Sequence, residues 1–220
     1  MAYFDFVMKV HKSTRRDYVG RVLECDKAEA AEVACRFDRD YWDGERRYGY
    51  GGYRYDGRWR PVAEEMARHY RLEPGMSILD VGCGKGFLLY EFTQVLPGCR
   101  VAGLDLSAYA VANAKEEVRP QLRVGTAAEL PYPDRSFDFV VSINTLHNLS
   151  NYDLYAALKE IERVGRAAKH ITVEAYRNER EKVNLLYWQL TCRAFHTPKE
   201  WEWLLGHAGY TGDYGYIVFE

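Results

Sequence analysis

Residues 78–86 of this 220-residue chain read ILDVGCGKG, and this segment decides the fold. The largely apolar run 77–81 predicts a strand, and the alternating glycines after it let the backbone turn sharply into a helix over 87–96. Strands and helices are predicted to alternate downstream: strands over 100–104, 122–125, 137–143 and 170–174, and helices over 108–118 and 153–164. This alternation predicts an α/β fold, in which helices cover both faces of a parallel sheet.

The ends of the chain carry further helix signals. Asp26 with Glu29 has the spacing of a capping box and predicts a helix over 28–37. Pro61 fits the first turn of another helix. Near the C-terminus, helices are predicted over 181–194 and from 197 to about 209. The last segment, 214–219, is predicted to close the sheet as an antiparallel strand.

Two acids flank the glycine-rich turn at the ends of the first two predicted strands. Asp80 precedes the turn, and Asp105 ends the second strand. Open parallel sheets bind ligands outside the carboxyl ends of their strands, where a helix N-terminus also favours an anionic group. A carboxylate at Asp105 can accept hydrogen bonds from both hydroxyls of a ribose. The pattern therefore indicates a site for an adenosine-containing cofactor.

Two alternatives compete with this interpretation. A dinucleotide site fits less well because the turn is G-x-G-x-G, one residue shorter than the G-x-G-x-x-G fingerprint. Asp80 would also sit unfavourably beside a pyrophosphate, whereas it suits an α-amino group. Gly82, Gly84 and Gly86 could instead form a structural turn with no ligand.

The whole run ILDVGCGKG…GLDLS…GTAAELPYPDRSFDFVVSINTLHNL resembles the class I methyltransferases that use S-adenosylmethionine (SAM), particularly the ubiquinone-methylase-like small-molecule branch. The resemblance covers about residues 75–220. It implies a Rossmann-like, seven-stranded sheet with helices on both faces. It also implies an N-terminal cover of helices and a loop over residues 1–60, in front of a SAM-binding domain over 61–220.

The resemblance assigns the cofactor contacts residue by residue. Gly82, Cys83, Gly84 and Gly86 would wrap the methionine portion, with Asp80 near its amino group. Asp105 would take the ribose and Leu106 would pack on the adenine. The remaining contacts would be Thr126 and Ala127 at the adenine edge and Asn144 beside the methionine end. Thr126 departs from the family pattern because many relatives have an Asp there.

Methyl transfer to an alcohol or ammonium group requires removal of a proton. His147, just after the fourth predicted strand, is the candidate general base, because an unperturbed imidazole titrates near neutral pH. A packing or hydrogen-bonding role for His147 remains open. Glu174, Tyr176 and Arg177 follow the fifth strand and are further candidates for binding the acceptor.

Residues 41–60, YWDGERRYGYGGYRYDGRWR, are enriched in Tyr, Gly and Arg. Tyr rings offer stacking area, Arg pairs with carboxylate or phosphate, and Gly allows closure. The residues predicted to bind a polar or anionic acceptor are Tyr48, Tyr50, Tyr53, Arg54, Arg58 and Trp59. A self-packed loop that only orders the N-terminus is the alternative. The block is similar to segments of bacterial surface-carbohydrate or specialised-metabolite enzymes.

Composition narrows the class of protein further. A formal net charge of −2 argues against a general nucleic-acid partner. The chain has no apolar run long enough to span a bilayer and no secretion signal, and its five scattered cysteines favour reduced thiols, so a cytoplasmic location is expected. No metal site is expected, and a homodimer is left open.

The sequence thus predicts a SAM-dependent methyltransferase that methylates O or N of a small polar or anionic metabolite, with carbon methylation and a nucleotide-linked sugar acceptor left open. A catalytically idle SAM-binding regulator or partner protein is the main alternative. A nicotinamide-dependent oxidoreductase is disfavoured by the turn length and by Asp80.

Overall fold

The computed structural model describes residues 1–12 and 16–220. Within these ranges one sheet has six strands: β1 Ser77–Val81, β2 Arg100–Asp105, β3 Leu122–Val124, β4 Phe137–Ile143, β5 Gly165–Glu174 and β6 Asp213–Ile217. Their order is β3-β2-β1-β4-β5-β6, and each neighbouring pair is parallel. The α/β, Rossmann-like prediction is confirmed.

Two details of the predicted sheet are wrong. The sheet has six strands, where seven were expected, and the final strand runs parallel to β5, where an antiparallel strand was expected. The chain leaves β5 and returns through helices over residues 175–212, and a crossover of this length carries it back to the starting end of the sheet. The far edge of β6 is covered by the N-terminus, since Phe4 N donates to Tyr214 O at 2.8 Å.

Helices flank the sheet and the cavity described below. In the described residues they are α1 Met8–Lys12, α2 Tyr18–Leu23, α3 Lys27–Ala34, α4 Arg39–Trp42, α5 Arg60–His69, α6 Phe87–Val95, α7 Ala108–Ala112, α8 Asn151–Val164, α9 Glu179–Trp188 and α10 Pro198–His207. Asp26 caps α3, since its carboxylate accepts from Ala28 N at 2.8 Å, and the capping box is found instead at α10, between Thr197 and Glu200. None of these helices has the length and apolarity needed to cross a bilayer.

Alternate residues of the central strands face two apolar layers. Leu79 and Val140 pack with α8 and α10 on one face of the sheet, where Trp201 is fully buried. Ile78 and Phe139 pack with α5 and α6 on the other face. Both faces of the central strands are therefore buried, and the carboxyl ends of the strands are left to form a site.

Candidate active site

A cavity of about 700 Å³ lies at the carboxyl ends of the central strands. Four strands each bring one polar side chain to its wall: Asp80 near the end of β1, Asp105 at the end of β2, Asn144 after β4 and Glu174 at the end of β5. This is the edge at which open parallel sheets bind ligands. The volume lies within the range of pockets that hold small molecules.

The glycine turn after β1 forms part of the wall. Gly82 and Gly84 have φ values of +82° and +52°, in the left-handed region that favours glycine. A Cβ on Gly82 would collide with the Thr145 side chain, and a Cβ on Gly84 would lie 2.9 Å from Trp42 Cη2. Gly86 lies outside the cavity wall and packs at the start of α6. The first two glycines therefore allow Thr145 and Trp42 to pack closely against the turn, and the third lies at the N-cap of α6.

Two buried carboxylates stand beside this turn. The carboxylate of Asp105 accepts from Gly84 N at 2.7 Å and from Ser107 N at 2.8 Å, so its position is fixed by the backbone. Burial, and then the negative charge of Asp105, raise the pKa of Asp80 to about 8. Lys85, in the same turn, pairs with Asp43 instead. The Asp80 and Asp105 carboxylates thus fit a ligand that brings a positive charge and hydroxyl donors.

The part of the cavity wall near Asp105 suits a planar, apolar ring with polar edges. Leu106 is 61% exposed and lines the cavity, together with Thr126 and Ala127. Asn144 has a φ of +57°, and its Oδ1 atom is buried without a hydrogen-bond partner among the described residues. The Cys83 side chain also lines the wall, and burial raises the pKa of its thiol well above the ordinary value. A neutral thiol there acts as a small wall residue.

A family model described as "Methyltransferase domain" matches residues 79–172, the segment that holds these strand ends. Residues 79–172 therefore match a class I SAM-dependent methyltransferase domain. Proteins of this family use SAM as their cofactor. The donor set fits that cofactor, because among the described residues no cation pairs with Asp80 and no donor reaches Asn144 Oδ1, and the cavity is of sufficient size.

Two curated relatives match the methyltransferase domain. Demethylmenaquinone methyltransferase of Symbiobacterium thermophilum is 33% identical over 116 residues, which are 49% of this chain and 45% of that protein. Sterol 24-C-methyltransferase ERG6B of Gibberella zeae is 33% identical over 108 residues, which are 46% of this chain and 28% of that protein. In both cases the match spans less than half the relative's length.

Solved structures share the fold. The YcgJ protein of Bacillus subtilis superposes with a TM-score of 0.54 at 23% identity, over 66% of each chain. The [4+2]-cyclase SpnF superposes with a TM-score of 0.55 at 20% identity, over 87% of this chain and 69% of that chain. Likeness at this level of identity concerns the fold.

The Tyr/Gly/Arg segment lies over the methyltransferase glycine turn. The Trp42 and Tyr50 rings stack with centroids 5.3 Å apart and planes 8° apart. Tyr53 stacks on Phe87 at 5.0 Å, next to that turn. The Trp42 indole also donates to Ser107 Oγ at 2.9 Å. The segment therefore packs on itself and also forms a wall of the cavity.

A charge pair joins this cover to the glycine turn. Lys85 Nζ lies 2.7 Å from Asp43 Oδ2, and the Tyr109 hydroxyl donates to the same carboxylate at 2.8 Å. Burial would raise the pKa of Asp43, but the hydrogen bonds from Lys85 and Tyr109 outweigh it and lower that pKa. Asp43 therefore stays ionised and holds the cover against the turn.

Glu174 faces the far end of the cavity, and His147 lies behind it. Glu174 N donates to His147 Nδ1 at 3.3 Å, which leaves the ring hydrogen on Nε2, 3.4 Å from Glu174 Oε2. The Gln189 amide donates to Glu174 Oε1. Burial lowers the pKa of His147 to about 3 and raises the pKa of Glu174 to about 8. Of these two side chains, only that of Glu174 lines the cavity.

The predicted acceptor residues divide into two sets. Those in the cavity wall are Tyr50, Tyr53, Arg54, Arg58, Trp59 and Glu174. Those that lie outside the wall are Tyr48, which carries Arg47 over its ring, Tyr176, which packs against Lys182, and Arg177, which pairs with Glu181 and Glu220. Arg58 lines the wall, but it is paired with Asp56, with Nε at 2.7 Å from Oδ2.

Other wall residues were not predicted from sequence: Arg16, Arg21, Tyr41, Trp42, Arg46, Gln189 and Thr191. Tyr41, Trp42 and Arg46 belong to the enriched segment 41–60, so the composition signal could have included them. The other residues lie far from the quoted motifs in the sequence and belong to no motif themselves. Among the described residues, no cluster of three His, Cys, Asp or Glu side chains could hold a metal ion.

Proposed function

We propose that this protein transfers the methyl group of SAM to an oxygen or nitrogen atom of a small polar, anionic metabolite. The observation that carries the proposal is one cavity whose wall includes both the Asp80–Asp105 pair and Glu174. Donor and acceptor would meet inside it, beneath the cover formed by residues 1–60. Residues 61–220 would then be the SAM-binding domain.

On the donor side, Asp80 would hold the positive charge of the methionine portion and Asp105 the ribose hydroxyls. Gly82 and Gly84 would allow close approach of the main chain, and Leu106, Thr126 and Ala127 would border the adenine. Asn144 would complete the methionine end. Bound SAM supplies an electrophilic methyl group on a sulfonium. These residues contribute by fixing the direction from which an acceptor can approach, which is a large part of the catalysis of an in-line displacement.

On the acceptor side, Glu174 would take the proton that an alcohol or ammonium nucleophile loses. Its Oε1 atom accepts from Gln189, whereas its Oε2 atom, 3.4 Å from His147 Nε2, is buried without a hydrogen-bond partner among the described residues and would be the oxygen that takes the proton. A pKa raised to about 8 matches a base that works near neutral pH. His147, expected to be the base, is proposed as a positioning residue because its Nδ1 atom accepts from Glu174 N.

The aromatic residues of the cover favour the proposal of a small-molecule acceptor. Tyr50, Tyr53 and Trp59 line the cavity with rings that carry polar groups, and the indole of Trp59 donates to the Tyr53 hydroxyl at 3.1 Å. Both matched relatives are named for small-molecule substrates, a quinone precursor and a sterol. We extend a small-molecule acceptor to this chain as a proposal, with the five free cysteines favouring a cytoplasmic setting.

Calorimetric titration with SAM and with NAD tests the cofactor, and a screen of acidic metabolites with methyl-labelled SAM tests the reaction. We expect SAM to bind, NAD not to bind, and label to reach at least one acceptor. Absence of SAM uptake would overturn the proposal. SAM binding without turnover on any acceptor, unchanged by Glu174→Gln, would favour the alternative of an idle SAM-binding partner protein.

A further inference from the structure

Three arginines of the N-terminal region meet around one tryptophan, at the end of α9, near Glu174 in the cavity. The guanidinium carbons of Arg16, Arg21 and Arg46 lie 5.3, 5.6 and 5.3 Å from the centre of the Trp188 ring. All four side chains line the cavity. Arg21 Nη1 donates to Arg46 O at 2.7 Å, Arg46 Nη1 donates to Gly49 O, and Arg16 Nη1 donates to His11 O at 3.2 Å. Because a guanidinium has five N–H donors, one that stacks on an aromatic ring keeps further N–H groups for contact with an oxyanion.

The positive charge of Arg21 is poorly balanced among the described residues. Arg21, whose side chain is 8% exposed, lies 3.9 Å from the half-exposed Glu24 carboxylate, which is a long ion pair. Burial and then the charge of Arg46 lower the pKa of Arg21. Burial also lowers the pKa of Arg16, while nearby Tyr18 and Glu174 act in the opposite direction. Three like charges thus share a partly dehydrated wall, an arrangement that a bound anion stabilises.

We infer that Arg16, Arg21 and Arg46 form an oxyanion site that binds a phosphate monoester or carboxylate group of the methyl acceptor. This deepens the proposed function and rests on it for the identity of the acceptor. The site lies at the Glu174 end of the cavity, so an anchored anion would place the rest of the acceptor between Glu174 and Asn144. It also differs from the expected pair Arg54 and Arg58, since Arg58 is engaged by Asp56.

The test measures binding of methyl phosphate and of acetate to the full chain at constant ionic strength. Arg21→Gln and Arg46→Gln each remove one charge, and Arg47→Gln is the matched control, because Arg47 is the neighbour of Arg46 but pairs with Glu45 outside the wall. We expect saturable binding of at least one probe. Each site variant should raise the Kd about tenfold or more, because hydrogen bonds to charged groups contribute about that much. The control should leave the Kd unchanged.

Arg21→Lys and Arg46→Lys keep the charge but lose the bidentate fork, and we expect an intermediate Kd. If a Gln variant does not fold, the Kd of the corresponding Lys variant is measured in its place. Absence of binding of both probes to the natural protein, or equal binding by all variants, would overturn the inference. The tighter of the two probes identifies the class of oxyanion.

Titration of the same samples with SAM and with methylthioadenosine separates this inference from the proposed function. If Arg21→Gln weakens SAM but not methylthioadenosine, the cluster binds the carboxylate of the cofactor and the acceptor site is refuted. If the natural protein binds methyl phosphate but no SAM, the proposed function fails while the oxyanion site stands.

Discussion

Lys85 Nζ lies 2.7 Å from both carboxylate oxygens of Asp43, which joins the glycine turn to the segment that covers it. The Lys85 side chain is 6% exposed and that of Asp43 27%, so water screens the pair only in part. Lys85 Nζ also donates to Tyr53 O at 2.9 Å, which fixes the cover at a second point. This ion pair therefore joins two sequence regions that are far apart and helps to hold the cover against the glycine turn.

Asp43→Asn should destabilise the fold by about 1–3 kcal/mol, between the values for exposed and buried pairs. It should also weaken SAM binding, because Lys85 loses its partner and the cover is released from the turn. Thermal unfolding and calorimetry measure the two effects. Glu117→Gln is the control, since it breaks the exposed Lys115–Glu117 pair and should change neither quantity. An Asp43→Asn protein with unchanged SAM affinity would contradict the role of the pair in the site.

The buried Asp80 predicts a proton linkage. Its pKa is raised from about 4 to about 8 by burial and then by Asp105. Between these pH values the folded protein holds a proton that the unfolded chain has released, so this group lowers the free energy of unfolding as pH rises from about 4 to 8. A cation bound beside Asp80 favours the ionised carboxylate.

SAM binding should therefore release a proton, and affinity should rise by up to about tenfold between pH 6 and 7. Calorimetry in two buffers of different ionisation enthalpy measures the protons released. Asp80→Asn should abolish this release, whereas Glu174→Gln should retain it. An equal pH dependence in the natural protein and in Asp80→Asn would assign the linkage to another group.

Much of the sheet follows from local sequence signals. The bounds of β1 and β4 agree with prediction to the residue, because continuous apolar runs between turn signals mark buried strands. The ends of other elements depend on tertiary contacts. The helix predicted over 108–118 ends at Ala112, and Lys115 N then donates to Lys85 O at 2.9 Å. No local sequence pattern predicts a hydrogen bond between residues this far apart in the chain.

The acceptor half of the site was harder to predict for the same reason. The helix predicted over 181–194 ends at Trp188. The next residues contact the His147–Glu174 pair: Gln189 donates to Glu174, and the backbone N–H groups of Arg193 and Ala194 donate to His147 O. The cofactor half rests on contiguous motifs, whereas the acceptor half is assembled from side chains that only the fold brings together.

The arrangement of Glu174 and His147 predicts unequal effects of their substitution. Glu174→Gln should lower kcat about 10²–10⁴-fold, the usual contribution of a general base, and leave SAM affinity nearly unchanged. His147→Gln should lower kcat less and should shift the acidic limb of the pH–rate profile, because it alters the surroundings of Glu174. Steady-state kinetics with an identified acceptor measures both. A large loss for His147→Gln with full activity in Glu174→Gln would restore His147 as the base.

The close approach of Gly84 to Trp42 predicts a steric effect on the cofactor. Gly84→Ala adds a Cβ 2.9 Å from Trp42 Cη2 at a residue with φ +52°. Gly98→Ala is the matched control, since Gly98 also has a positive φ, +88°, but has nothing within 4 Å of the added atom. Both variants should lose about 1–2 kcal/mol of stability from the backbone conformation.

Gly84→Ala alone should also weaken SAM binding, because Trp42 must move away from the turn and Gly84 N donates to Asp105 at 2.7 Å. Shifting this amide displaces the carboxylate proposed to hold the ribose. Thermal unfolding and SAM titration of the two variants separate the backbone effect from the contact. Pairing Gly84→Ala with Trp42→Phe should restore part of the lost affinity, since the smaller ring leaves room for the methyl group. If Gly84→Ala and Gly98→Ala bind SAM equally well, the turn does not meet the cofactor at Gly84.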